Sequence, residues 1–139
     1  TKADLVHQAS HDRLEDILRL IVDEAGAQAE FSGAKVEVAA IAAIRATREA
    51  KVRQKNEELP CIVGTPQSGE IIAGTTFDGE REAAIFPGDL PESASDALDG
   101  AMQGKLKFVR FRPPPQTGAM FPHIRLDRAL EFLLGDHFS

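Results

Sequence analysis

The spacing of the apolar residues changes near Pro60. Before Pro60 they recur every three or four positions, which is the period of an α-helix packed by one face. After it they form short runs separated by Gly and Pro, which is typical of strands and turns. A length of 139 residues suits one domain. We therefore predict a single α+β domain over 1–139, with a helical part at 1–59 and an α/β part at 60–139.

Two helices are predicted in the helical part. Thr1 to Asp4 has the pattern of a capping box, so a first helix is expected to begin there and to end at Gly26. A second periodic run extends from Ser32 to the residues before Pro60. Lys35 to Val38 alternates as a strand does, which leaves the start of that helix open. The simplest arrangement is an N-terminal antiparallel helix pair.

The α/β part predicts a small, mostly antiparallel sheet. Cys61 to Val63 is a short apolar strand, and Asp78-Gly79 predicts a tight hairpin between strands at 70–77 and 80–86. A helix is expected from Pro91 to Gly104, a basic strand from Lys105 to Arg112, and a last helix after Pro122. The predicted order is α-α-β-β-β-α-β-α. The predicted core is Leu14, Ile17, Leu18, Ile21, Ile41, Ile44, Ile72, Ile85, Leu98, Phe108, Leu130 and Leu133.

Charge and cysteine content limit the partners and the compartment. The net charge is −6, and acidic and basic stretches alternate along the chain, so nucleic-acid binding is not expected. No apolar run reaches the roughly 18 residues of a membrane span, and no leader pattern precedes the first helix. A lone Cys61 suits a reducing compartment. We expect a cytoplasmic protein that does not bind membranes.

His7 and His11 are candidate metal ligands. Four residues apart, they would share one face of the first predicted helix and could reach one ion. The run from His7 to His11 resembles the His-Glu-x-x-His motif of zinc hydrolases, with Gln8 in place of the glutamate that acts as general base. An amide cannot take up a proton, so the resemblance implies a divalent metal site without that catalysis.

His11 is also a candidate phosphoacceptor. The run from His11 to Leu18 is similar to the phosphoacceptor helix of one histidine-kinase class, in which a His-Asp pair precedes an apolar stripe. The resemblance implies attack on a phosphate by a ring nitrogen of His11, with Asp12 orienting the ring. A metal-binding or histidine-phosphotransfer protein is therefore the alternative function.

Other catalytic motifs are incomplete. Gly64 to Gly69 has the spacing of a phosphate-binding loop but continues with Glu70-Ile71 instead of Lys and a hydroxyl residue, so we reject that assignment. The strand from Lys105 to Arg112 lacks the glycine of an RNA-recognition motif. No nucleophile elbow is present, and Cys61 is expected in the core. No short motif in the sequence therefore supports an enzymatic function.

The preferred interpretation is a non-enzymatic module for protein binding or assembly. Residues 113–122 form a Pro-rich arm that could be captured by a partner or by a second copy, through Pro114, Pro115, Met120 and Phe121. The element order resembles that of small dimeric chaperones of type III secretion, which implies an adaptor, a chaperone-like protein or a subunit of a complex. A loop packed on its own sheet is the alternative for the arm.

Overall fold

The computed structural model describes residues 3–98, 108–116, 118 and 120–135. Two short 3-10 turns, Ala3–Leu5 and Gln8–Ser10, precede a long helix, α1 (His11–Phe31). Five strands follow: β1 (Arg48–Gln54), β2 (Glu57–Gly64), β3 (Ile71–Ile72), β4 (Thr75–Thr76) and β5 (Ala83–Ile85). Two further helices are α2 (Ala94–Leu98) and α3 (Leu126–Leu134). The predicted α+β class is confirmed: an N-terminal helix, a small antiparallel sheet and further helices.

Helix α1 begins ten residues later than predicted and continues through Gly26. It ends at Phe31, where the backbone N–H of Ser32 bonds carbonyls of the last turn. Gly33 follows with a φ of +87°, which suits glycine. The predicted capping box is not formed by Asp4, because the carboxylate of Asp4 accepts instead from the backbone of Ala46. Thr1 lies outside the described residues.

The prediction of a second helix between Ser32 and Pro60 is wrong. Its place is taken by an irregular segment and then by the β1–β2 hairpin, in which Arg48 pairs with Val63 and Gln54 with Glu57. Lys55 and Asn56 both have positive φ, 46° and 72°, as a two-residue hairpin turn requires. The charged side chains of β1 point to alternate faces of an exposed ribbon, so they do not need a helix for solvation.

The three-stranded sheet has the order β1-β2-β5, and β3 pairs with β4 in a separate ribbon. The strand at Cys61–Val63 is confirmed within β2. The predicted hairpin around Asp78-Gly79 is wrong, because β3 turns back at Ala73-Gly74 and β5 pairs with β2, Ile62 facing Ile85. The core cluster is Ile62, Ile85, Val109 and Phe111.

The helical predictions after residue 90 hold in part. Helix α2 lies in the expected stretch, while residues 99–107 lie outside the described part of the chain. Helix α3 follows Pro122 as predicted. Residues 108–112 run beside the segment after β2, with one bridge between Pro66 and Phe111. No helix in the described ranges is long and apolar enough to cross a membrane.

The predicted core is only partly correct. Ile17 and Ile85 are buried, and Leu14, Leu18, Ile41 and Ile72 are half-buried. The side chain of Leu98 lies outside the described part. Five predicted core residues are exposed, namely Ile21, Ile44, Phe108, Leu130 and Leu133.

Candidate functional site

The side chain of Asp4 lies at a cavity of about 380 Å³ formed by four separate parts of the chain. We call it the Asp4 cavity. Residues 42–46 form one wall, and Leu5, Phe111 and Pro113 supply apolar surface. Asp4 itself is only 7% exposed. A volume of this size with a few converging polar groups is typical of small-molecule sites.

The turn that carries Asp4 is held from three directions. The backbone N–H of Ala3 donates to the carbonyl of Ile41 at 3.1 Å, and Nε2 of His11 donates to the carbonyl of Ala3 at 2.9 Å. The hydroxyl of Thr47 donates to the carbonyl of Asp4 at 2.5 Å. Both His11 and Thr47 are buried, so these bonds are shielded from water. The position of the carboxylate is therefore fixed before any ligand arrives.

The carboxylate of Asp4 is bonded to the wall formed by residues 42–46 through one backbone group. The N–H of Ala46 donates to Oδ2 of Asp4 at 3.2 Å. An ionised carboxylate has about four acceptor positions, so most of its capacity is left for a ligand. The N–H groups of Ala43 and Ile44, at the same wall, bond no other described residue. The cavity thus offers an anionic acceptor beside backbone donors.

The far wall is fixed by an ion pair. Glu70 accepts from the backbone N–H of Arg110 at 3.0 Å and from its guanidinium at 2.7 Å. These bonds, the backbone one first, and the charge of Arg110 hold the pKa of the Glu70 carboxyl below its usual range. The backbone N–H of Gln67 also bonds the carbonyl of Arg110 at 2.7 Å. Gln67 and Arg110, which line the cavity, are held in place by this pairing.

Helix α1 is tied to the same region by a second ion pair. Glu15 is only 8% exposed, and its carboxylate accepts from the backbone N–H of Ala40 at 3.0 Å and from the guanidinium of Arg125. Arg125 has a left-handed backbone, φ 52°, directly before α3. The pair therefore joins α1, the start of α3 and the segment that leads to the cavity wall.

His7 and His11 do not share a helix face. His7 precedes the second 3-10 turn, and its Nδ1 accepts from the N–H of Ala9 at 3.1 Å, whereas His11 begins α1. The described residues contain no group of three or more His, Cys, Asp and Glu side chains that could hold a metal ion. His11, the predicted phosphoacceptor, is 4% exposed, and its Nε2 donates to the carbonyl of Ala3. Phosphorylation of His11 stays a prediction.

The four predicted partner-binding residues of the arm differ in their surroundings. Pro114 and Pro115 line a second cavity to which Ala46 also contributes, while Met120 is 79% exposed and Phe121 is 36% exposed. Capture of these four residues by a partner stays a prediction.

Cys61 is buried as expected, and burial raises the pKa of its thiol, which disfavours the reactive thiolate.

Sequence reasoning missed Asp4 as a site residue, since it treated that residue as part of a helix capping box. No local signal marks it. The contact that places it at the cavity joins residues 42 positions apart in the chain.

Comparison with known proteins gives the family context. The chain is 31% identical over 142 residues to the Ras-like GTPase YcjX of Shewanella oneidensis, and 31% identical over 137 residues to the protein of the same name in Escherichia coli. These alignments cover 96% and 98% of this chain, and it spans 27% of the length of each relative.

These relatives correct the functional prediction. A non-enzymatic adaptor, chaperone-like protein or assembly subunit is wrong, because relatives matched over nearly the whole chain are named GTPases. The prediction failed because the segment contains no complete phosphate-binding or nucleophile motif on which sequence reasoning could rely. The model of the YcjX-like family, DUF463, matches residues 1–138, and the chain belongs to that family.

Proposed function

We propose that this chain is part of a GTPase and that the Asp4 cavity recognises the guanine base. The observation that carries the proposal is the buried carboxylate of Asp4 beside two backbone N–H groups that bond no other described residue, in a chain whose relatives are named Ras-like GTPases. The proposed role concerns nucleotide recognition. The 139 residues contain no Gly-x4-Gly followed by Lys and a hydroxyl residue, so no step of phosphate chemistry is assigned to them.

Guanine chemistry fits the donors and acceptors of the cavity. The base presents N1–H and the N2 amino group as adjacent donors and O6 as an acceptor. A carboxylate can accept from both donors at once, while the N–H of Ala43 or Ile44 can donate to O6. Adenine presents an acceptor at N1, so the same carboxylate would face a lone pair and reject it. Leu5, Phe111 and Pro113 supply the apolar walls against which a base packs.

The test is binding of guanosine diphosphate to the intact protein, measured by isothermal titration calorimetry. Asp4→Asn replaces one charged hydrogen-bond acceptor by an amide at almost equal volume. Since such bonds contribute about 1.5–3 kcal/mol, we expect guanosine diphosphate affinity to fall by about ten- to a hundredfold. Binding of xanthosine diphosphate should improve, because xanthine has a carbonyl at position 2 that the new amide can bond.

Asp16→Asn is the matched control. Asp16 lies on α1 with a side chain that is 63% exposed, and the same chemical change there should leave both affinities unaltered. Wild-type affinity of Asp4→Asn for guanosine diphosphate would contradict the proposal. Loss of both nucleotides together with a lower melting temperature would show a structural role for Asp4 and would also reject it.

A further inference from the structure

A second cavity is lined by residues 45–48 together with parts of β2 and the proline run. Its volume is about 660 Å³, and three arginines, Arg45, Arg48 and Arg112, line it. We call it the arginine cavity. It shares Ala46 and Pro113 with the Asp4 cavity, so the two cavities are neighbours.

Arg112 is fixed at the wall of this cavity. Its backbone N–H donates to the carbonyl of Thr65 at 2.8 Å, and its Nη1 donates to the carbonyl of Gly79 at 2.6 Å. In the described part of the chain no carboxylate lies within ion-pair distance of its guanidinium. Arginine has five N–H donors, so one bond to a carbonyl leaves the charge and most donors uncompensated.

The other two arginines have partners that a ligand can replace. Nη2 of Arg48 lies 2.8 Å from Oε2 of Glu82, but both side chains are more than half exposed, and such exposed pairs are weak. Arg45 bonds the carbonyl of Thr47 and the carboxylate of Glu49, with about a third of its side chain exposed. Glu80 and Glu82 also line the cavity, so its lining contains three cationic side chains and two anionic ones.

The remaining wall has little polar character. Pro113, Pro114 and Pro115 line one side, and proline has no N–H donor and a fixed φ. Donors in the cavity therefore come mainly from guanidinium groups, which bond phosphate oxygens in pairs. The apolar proline rings beside them suit the organic part of a phosphate ester. The cavity is also much larger than a bare phosphate ion requires.

We propose that the arginine cavity binds the phosphate group of a small phosphate ester, with Arg112 as the main anchor and Arg48 as a second contact. In the bound state Arg48 exchanges its bond to Glu82 for a phosphate oxygen. The ligand is separate from the nucleotide proposed for the Asp4 cavity, and the inference does not depend on that proposal.

The test is calorimetric titration of the intact protein with inorganic phosphate and with phenyl phosphate, each at low and at high salt. We expect both probes to bind and phenyl phosphate to bind more tightly, since its ring can lie on the prolines. Binding should weaken as salt rises. Tight binding of inorganic phosphate with no gain for phenyl phosphate would assign the free ion as ligand and overturn the ester proposal.

Arg112→Gln removes the charge and the long donor arm, and should weaken phenyl phosphate binding about tenfold or more. Arg48→Gln, at an exposed side chain, should weaken it several-fold and serves if Arg112→Gln does not fold. Arg81→Gln is the control, because Arg81 is 90% exposed and does not line the cavity.

Equal affinity in all three variants would reject the site. The Asp4 cavity provides a further test of whether the two ligands bind at separate sites. Asp4→Asn should leave phenyl phosphate binding unchanged, and Arg112→Gln should leave guanosine diphosphate binding unchanged. If Arg112→Gln weakened guanosine diphosphate binding instead, the arginine cavity would belong to the nucleotide site, and a separate ligand would be excluded.

Discussion

The backbone N–H of Ala46 donates to Oδ2 of Asp4 at 3.2 Å, although 42 positions separate the two residues. The adjacent residue strengthens this junction, since Thr47 Oγ1 donates to the carbonyl of Asp4 at 2.5 Å. Two consecutive residues therefore hold the backbone and the side chain of one aspartate. This junction joins the 3-10 turn Ala3–Leu5 to the residues directly before β1.

Thr47→Val tests the junction without touching the carboxylate. Thr47 is 7% exposed, and the substitution leaves the buried carbonyl of Asp4 without its donor. The expected cost is about 1–3 kcal/mol of unfolding free energy, measured by urea denaturation. Thr76→Val, on an exposed strand position, should change stability by less than about 0.5 kcal/mol. Equal stability of the two variants would contradict the role of Thr47.

Glu15→Ala is expected to destabilise the protein by about 3 kcal/mol, because it leaves Arg125 without its partly buried partner. It also removes the acceptor for the N–H of Ala40. Glu15→Gln should cost less, since its amide oxygen can still accept that bond. Thermal and urea unfolding of both variants measure the difference.

The control for Glu15 is its neighbour. Asp16 pairs with Arg19 at 3.2 Å, but the two side chains are 63% and 58% exposed. Asp16→Ala should therefore change stability by no more than about 0.5 kcal/mol. A loss at Asp16 as large as the loss at Glu15 would show that α1 tolerates no change on that turn, and the ion-pair explanation would fail.

Gly64→Ala should destabilise the fold by about 1–3 kcal/mol through overpacking. A Cβ at Gly64 would lie 2.8 Å from the ring of Phe111 and 2.9 Å from the carbonyl oxygen of Ala46. The close approach of β2 to both residues needs a glycine there. Gly118→Ala meets no atom within 4 Å and should leave unfolding unchanged. The melting temperatures of the two variants measure this difference in stability.

The elements whose signals lie within a few neighbouring residues were predicted correctly from the sequence. The apolar strand in β2 and the helix after Pro122 are confirmed, since periodicity and proline position are read within a few residues. The failure at 33–58 has an equally local cause. Charges at Arg45, Arg48 and Lys51 fit a helical face, and the Lys55-Asn56 turn lacks the glycine that would have indicated a hairpin.

Tertiary pairing determined the rest. Asp78-Gly79 forms a turn, and Oδ1 of Asp78 accepts from the N–H groups of Glu80 and Arg81. The strand that follows nevertheless pairs with β2, because Ile85 completes the core beside Ile62. The Asp4 cavity was beyond prediction for the same reason. Its residues come from four parts of the chain, and no spacing rule connects them.

The last prediction concerns acid stability and the pairing of Glu70 with Arg110. Hydrogen bonds from Arg110 lower the pKa of Glu70, so the ionised carboxylate favours the folded state. That contribution is complete above about pH 4.3, the ordinary pKa of glutamate. It declines as the pH falls further and is lost once the pH is below the lowered pKa of the folded protein.

Glu70→Gln removes the ionisation while it keeps an acceptor for the N–H groups of Arg110. The variant should be less stable than the wild type at pH 7, and the difference should shrink steadily between about pH 4.3 and pH 2. Urea denaturation at four or five pH values measures it. The pKa of Asp78 is lowered too, by the N–H groups of Glu80 and Arg81, so the variant should retain part of the wild-type pH dependence. A difference between wild type and variant that stays constant down to pH 2 would show that Glu70 acts through its shape and not through its charge.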